Sequence, residues 1–258
     1  MTLVASQAVI HPRAEIAENV EVGPYTLIGE NVKIGAGTKI GPHVVLEGWT
    51  TIGRNCHIGA GAVIGGDPQD LKYRGDESYV LIGDHTTIRE YATVNRATFE
   101  GESTVVGNNC LVMAYCHIAH NCVLEDRVIM SSFAALAGHI RLEQNAIIGG
   151  LVGIHQFVRV GRNAIVGGGS AVSQDILPYT TANGNPCKSK GLNIIGLKRC
   201  NYSPERISQF KRAYKIIFRS KLSEKDALAQ LQIEMPDVPE VQHMIHFIQQ
   251  SQRGLARR

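Results

Sequence analysis

The chain has 258 residues, 44% of them hydrophobic and 19% charged, with a formal net charge of +3. One or two domains with a substantial core are expected from that length. No apolar run approaches the roughly 20 residues of a membrane helix, and the modest charge excess gives no reason to expect a nucleic-acid partner.

The N-terminus, MTLVASQAVIHPRAEI, enters a repeat at once. No signal peptide is expected before it, and a cytoplasmic location follows as an expectation. The repeat places an aliphatic residue or Met at every sixth position: Val4, Ile10, Ile16, Val22, Ile28 and onward to Val172, with 26 of 29 positions filled. The breaks are Asp70, Asp76 and Glu100. A helix repeats near 3.6 residues and a simple strand near 2. A period of six predicts short strands joined by corners and stacked as a solenoid. Two residues earlier in each hexad stand small or β-branched side chains such as Val20, Thr26, Val32, Thr38, Cys56 and Ala62, predicted to share the inward face. Gly often follows the aliphatic, as at Gly23, Gly35 and Gly59, where a residue without Cβ suits a sharp corner. Three hexads close one triangular coil. The pattern resembles the hexapeptide acyltransferase superfamily, whose parallel β-helix is left-handed; the hand comes from the resemblance and not from the period.

The first run of coils spans residues 1–64. Residues 65–81 and 95–105 leave the pattern as two loop excursions, the kind of segment in which function concentrates. Coils resume to about residue 173, and the stretch SQDILPYTTANGNP is expected to end the solenoid. The β-helix is therefore assigned to residues 1–189. A small C-terminal α-helical domain is assigned to 190–258. There, Ser203-Pro204-Glu205 reads as a capped helix start, followed by Ile207, Phe210, Ala213, Tyr214 and Ile217 at helical spacing. Two further helices are predicted over 223–233 and 239–253. Lys188 to Lys225 holds 11 basic residues against Glu205 and Glu224, a surface suited to an acidic partner.

Six cysteines are present, with Cys110, Cys116 and Cys122 at inward positions of successive hexads. Buried thiols in a reducing compartment are expected, without disulfides or a zinc cluster. Of ten histidines, His243 and His246 read as packing residues and His11, His43, His57 and His85 as surface residues. His120 stacks by coil arithmetic over positions 138 and 156, with His139 and His155 one residue away. These three are expected to line one edge of the prism over roughly 10 Å, at strand-like spacing. Such a ladder fits two chemistries: general-base catalysis of acyl transfer by imidazole, or zinc held between subunits, as in β-helical carbonic anhydrases.

Five segments in order (Asp-Leu-Lys-Tyr at 70–73, His-Ile-Ala-His at 117–120, Leu-Ala-Gly-His at 136–139, His-Gln-Phe at 155–157 and Gly-Leu-Lys-Arg at 196–199) resemble the UDP-N-acetylglucosamine O-acyltransferase family, the first enzymes of lipid A synthesis. The resemblance implies His120 as general base and the Gly138 N–H as oxyanion donor, with no metal or cofactor. It implies sugar-nucleotide contacts from Asp70 and Lys72, and a pocket of His117, His139, His155 and Gln156. Nucleotide contacts from Asn193 and Arg199 follow likewise, as does an acyl-length position at Gly168, where a glycine leaves the groove open to a longer chain. It implies a homotrimer with sites between subunits, and a 3-hydroxyacyl carrier protein as the acidic partner. The chain departs from the family pattern at several positions. Asn121 stands where Asp is common and Asn95 where His is common, while Ile195 and Cys200 stand where Glu and Arg are frequent. An Asn can orient an imidazole but supplies no charge, so the carboxylate partner of His120 is left unassigned by the sequence.

Overall fold

The computed structural model describes residues 2–257. From Leu3 to Val172 the chain winds into a parallel β-helix of three sheets, made almost entirely of two-residue strands. Strands pair in parallel three hexads apart, as Leu3 does with Glu21 and Val9 with Leu27. The excursions explain the gaps in the hexad series. His57 pairs with Thr87 and Thr87 with Leu111, five and four hexads apart instead of three. The inserted segments are thus whole multiples of the hexad, and the repeat resumes in register.

The alternating inward positions are buried throughout, from Val20 and Val22 to Val172. Each such Ile, Leu or Val contributes about 1.5–3 kcal/mol relative to exposure. Inward threonines satisfy their hydroxyls within the stack. Thr38 Oγ1 donates to Gly53 O at 2.8 Å and accepts from Cys56 N–H at 3.0 Å. Cysteines occupy the equivalent place with the same bond: Cys56 Sγ lies 3.1 Å from Gly83 O, and Cys122 Sγ 3.1 Å from Ala137 O. All six cysteines are free and five are buried; burial pushes the Cys110 thiol up to about 11 and that of Cys122 to about 12.

The glycines after the aliphatics serve a different purpose from the expected one. Gly23 and Gly35 are not in the left-handed region; a Cβ on either would lie 2.6–2.7 Å from backbone of the next coil. Close approach of coils demands them. The left-handed corner residue comes two places later and is often Asn, Tyr or His, as at Tyr25, His43, Asn55 and Tyr91. Because these corners stack, their side chains form ladders: Tyr91–Tyr115–Phe133 on one edge, with centroids 5.1 and 5.0 Å apart.

The stack does not stop at residue 173. Ile176 bridges to Val160, and Thr180–Asn183 adds a parallel strand to the first sheet before pairing antiparallel with Lys188–Leu192. Four helices follow: α1 (Ile194–Arg199), α2 (Pro204–Arg219), α3 (Glu224–Glu234) and α4 (Pro239–Gln249). Ser203 and Ser223 cap α2 and α3 by accepting from Arg206 and Asp226 N–H. The short α1 is not foreshadowed by the sequence pattern, and α4 ends at Gln249, short of the expected Arg253. The helices share a core with Leu177 and Tyr179 of the last coil. The chain then returns to the solenoid's end, where Ala256 N–H donates to Asp175 O at 2.9 Å. No helix among the described residues is long and apolar enough to cross a membrane.

Candidate active site

A cavity of about 740 Å³ lies over the outer face of the second sheet. Its floor follows from the sequence of that face: Ala135, Gly153 and Ala171 stack in register, leaving a shallow apolar trough where larger residues would stand. His117, His120, Gly138, His155 and Gln156 supply the polar wall, and Gln69 reaches in from the first excursion. A second cavity of about 860 Å³ lies between the third sheet and α4. Its charges are consumed by each other: Glu143 pairs with Arg159 at 3.3 Å and with His243 at 3.0 Å, and Arg141 pairs with Glu125 at 2.6 Å. His243 also meets the Tyr179 hydroxyl at 3.0 Å, in keeping with the packing role expected of it.

His120 is buried at the corner after the strand His117–Ile118. Its Nδ1 lies 2.9 Å from Thr98 Oγ1 and 2.9 Å from Asn121 Oδ1. Asn121 Oδ1 also accepts from Thr98 N–H at 3.1 Å, and Asn121 Nδ2 donates to Glu102 Oε2 at 2.5 Å. Thr98 Oγ1 donates to Asp70 Oδ2 at 3.3 Å, so toward His120 the hydroxyl acts as acceptor. Nδ1 is thereby the protonated nitrogen of the neutral ring, and Nε2 carries the free lone pair. The carboxylate nearest Nε2 is Asp70, at 3.9 Å.

Nε2 lies against Gly138, one coil on, where a Cβ would be 2.5 Å from it. Gly138 follows Ala137, whose N–H still joins the ladder to Ile154 O, and precedes His139, whose N–H bonds His120 O. At Gly138 that N–H has no acceptor among the described residues. An imidazole lone pair and a residue with an uncommitted N–H are therefore neighbours across one coil step, with an acidic loop beside them. Such a site can remove a proton from a hydroxyl and stabilise an oxyanion formed nearby.

Asp70 is held by its own turn: Oδ1 accepts from Lys72 N–H at 3.0 Å. That bond first, and the neighbouring His120 next among favourable charges, hold its carboxyl below the usual range. The excursion carrying it is anchored by Arg96, which donates to Gly65 O at 2.8 Å and to the Tyr73 hydroxyl at 2.5 Å. The same guanidinium pairs with Asp67 and lies over the Trp49 and Tyr73 rings. Asn95 fastens the loop base by donating to Asp67 O at 2.7 Å. His117 Nδ1 meets Thr93 Oγ1 at 2.7 Å. Burial, then His120, pushes both His117 and His139 below the ordinary histidine value.

The expected ladder of three imidazoles takes another form. His139 meets His120 edge-on, with centroids 5.1 Å apart and planes at 88°, and stacks on Phe157 at 4.8 Å. It supports His120 from outside the cavity lining. His155 lines the cavity, with Nδ1 accepting from Arg253 Nη2 at 3.1 Å. Lys72 is exposed on the excursion. Besides Asp70, Lys72 and His139, which lie outside the lining but on or beside the loop and base, three expected residues lie away from the cavity of this chain. Gly168 sits at an exposed corner where a Cβ would lie 3.1 Å from Gly150 O. Asn193 is buried and spends its carboxamide on the fold, accepting from Gly196 N–H at 3.0 Å as the cap of α1 and donating to Asn163 O at 2.9 Å. Arg199 lies exposed at the end of α1. Sequence reasoning missed Thr98 and Glu102, whose one signal was their place in the second excursion, and Gln69, one residue before Asp70.

The chain is similar to known acyltransferases along its whole length. Residues 175–256 match the model described as UDP N-acetylglucosamine O-acyltransferase, domain 2. Residues 31–66 and 103–138 match the bacterial transferase hexapeptide, and 139–174 the hexapeptide repeat of succinyl-transferase. The acyl-[acyl-carrier-protein]–UDP-N-acetylglucosamine O-acyltransferase of Thermodesulfovibrio yellowstonii is 48% identical over 258 residues, covering 100% of both chains. That of Trichlorobacter lovleyi is 52% identical over 98% of this chain and 99% of its own. Among solved structures, the UDP-N-acetylglucosamine acyltransferase of Bacteroides fragilis superposes with a TM-score of 0.95 at 43% identity, over 98% of this chain and 99% of that one. A repeat scaffold matched from end to end, together with a matched helical domain, leaves one assignment: the chain belongs to the UDP-N-acetylglucosamine O-acyltransferase family of hexapeptide-repeat proteins.

Proposed function

We propose that the chain moves an (R)-3-hydroxyacyl group from acyl carrier protein to the glucosamine 3-hydroxyl of UDP-N-acetylglucosamine, the first step of lipid A synthesis. The observation that carries the reading is His120 Nε2 lying against Gly138, one coil on, over an apolar trough. His120 Nε2 takes the 3-hydroxyl proton as the oxygen attacks the thioester carbonyl. The oxyanion is stabilised by the Gly138 N–H, an effect worth several kcal/mol in such sites. Collapse breaks the C–S bond, and the imidazolium returns its proton to the leaving thiolate. No step calls on a metal or cofactor.

Asp70 and Lys72 hold the sugar nucleotide from the first excursion, His117, His155 and Gln156 shape the pocket, and His139 braces His120 from behind it. Asn193, Arg199 and Gly168 lie away from the cavity of their own chain, which suits a homotrimer whose sites are completed by a neighbour. Gly168 leaves the acyl groove open to a longer chain. The basic stretch from Lys188 to Lys225 meets the acidic carrier protein. Six free cysteines fit a reducing cytoplasm.

Mass spectrometry of UDP-N-acetylglucosamine incubated with 3-hydroxyacyl carrier proteins of graded length tests this. The expected result is a 3-O-acyl product from the wild type and none from His120→Ala. A folded wild type that yields no product with any donor would overturn the reading. Bound zinc at about one ion per site would then favour the hydratase alternative.

A further inference from the structure

We infer that Glu102 is a positioning residue for the general base, acting through the Asn121 amide to fix the tautomer of His120 and to supply the negative charge that Asn121 lacks. This rests on the reading of His120 as the base.

The chain of contacts runs in one direction. A carboxylate only accepts hydrogen bonds, so Glu102 Oε2 at 2.5 Å takes the NH₂ end of Asn121. The opposite end, Oδ1, then faces Thr98 N–H at 3.1 Å and His120 Nδ1 at 2.9 Å. A flipped amide would set oxygen against the Glu102 carboxylate and NH₂ against the Thr98 N–H, two repulsive contacts at once. Glu102 and the Thr98 N–H together decide which end of the amide meets the imidazole, with Glu102 holding the NH₂ end. With an acceptor fixed on Nδ1, the proton stays there and Nε2 is left free beside Gly138.

The second consequence concerns charge. When Nε2 takes a proton, the ring becomes a cation in a buried corner. His117 and His139 border it as neutral rings, Lys72 is a nearby like charge, and Asp70 lies 3.9 Å from Nε2. On the Nδ1 side the adjacent side chains, Thr98 and Asn121, are uncharged. Two carboxylates stand one hydrogen bond further out on that side, Asp70 through Thr98 and Glu102 through Asn121, and Glu102 is the one that acts through the amide. Polarisation along the chain carries part of its effect inward. Glu102 is solvent-exposed, so water screens its charge and the effect is several-fold, not several orders of magnitude. Its place is structural too: it closes the second excursion and precedes the strand Ser103–Val106, whose Thr104 Oγ1 accepts from Asn121 N–H at 2.8 Å.

The test is a double-mutant cycle of Glu102→Gln and Asn121→Asp. It is read by kcat, KM and the pH–rate profile with UDP-N-acetylglucosamine and a 3-hydroxyacyl carrier protein. In the wild-type background Glu102→Gln should lower kcat roughly fivefold with KM unchanged, and move the acidic limb of the profile to lower pH. In the Asn121→Asp background, where a carboxylate meets Nδ1 directly, the same substitution should cost nothing further. Independently of turnover, ¹⁵N NMR of the resting imidazole should show Nδ1–H for the wild type and a larger share of Nε2–H for Glu102→Ala. Unchanged kcat, acidic limb and tautomer, or an equal loss in both backgrounds, overturns the inference and leaves Glu102 a surface contact. Full activity in His120→Ala is a separate result: it removes the base itself, and this inference with it.

Discussion

The imidazole of His120 occupies the space that a Cβ on Gly138 would fill, with Nε2 2.5 Å from that point. Gly138 is not in the left-handed region, so its backbone tolerates alanine. The constraint comes from the ring across the coil step. Gly138→Ala is expected to swing His120 off its Nδ1 partners and lower kcat about 10²-fold, with stability changed by about 1 kcal/mol or less. Turnover measured beside a thermal melt checks both; a variant with wild-type kcat would show that the ring can move without cost.

Thr98 stands between His120 and the acidic loop, fully buried, with its hydroxyl joining His120 Nδ1 and Asp70 Oδ2. Valine keeps the shape and removes both bonds, while the Thr98 N–H to Asn121 survives. Thr98→Val should lower kcat about tenfold and raise the KM for the sugar nucleotide as Asp70 loses a partner. Steady-state kinetics with each substrate varied separately checks this, and an effect on neither parameter would remove Thr98 from the network.

His117 and His139 have folded pKa values below the ordinary 6.5, because burial and the neighbouring His120 disfavour their charged forms. The unfolded chain therefore takes up these protons first as pH falls. The stability this contributes is present above about pH 6.5 and is lost as pH drops through the lower folded values. Melting temperature should fall between pH 7.5 and 5, and less steeply in His117→Gln. Parallel curves for the two proteins would contradict the assignment.

Asn193 is a cap before it is anything else. Asn193→Ala removes the bond to Gly196 N–H and leaves the Asn163 carbonyl without its buried partner. A loss of about 2 kcal/mol in urea unfolding is expected. A weakened KM for the nucleotide with unchanged stability would instead mark Asn193 as a direct ligand contact.

The period of six was enough to predict the stack, because inward positions of a triangular coil recur at that spacing and must be aliphatic or small. It survived Asp70, Asp76 and Glu100 because the inserted segments are multiples of the hexad. Coil arithmetic likewise brought His120 within a rung of Gly138. Periodicity says which residues share a rung, though, and not which way a side chain turns. His139, one place past its rung, took the left-handed corner and faced Phe157 instead of the cavity. The excursions have no period at all, so Asp70, Thr98 and Glu102 met His120 only through the folded path of two loops, latched by Arg96 and Asn95. The partner of His120 was unreadable for that reason. Residue types at 120 and 121 fix what the corner can bond, while tertiary structure alone decides that the Asn121 amide lies between the imidazole and the Glu102 carboxylate.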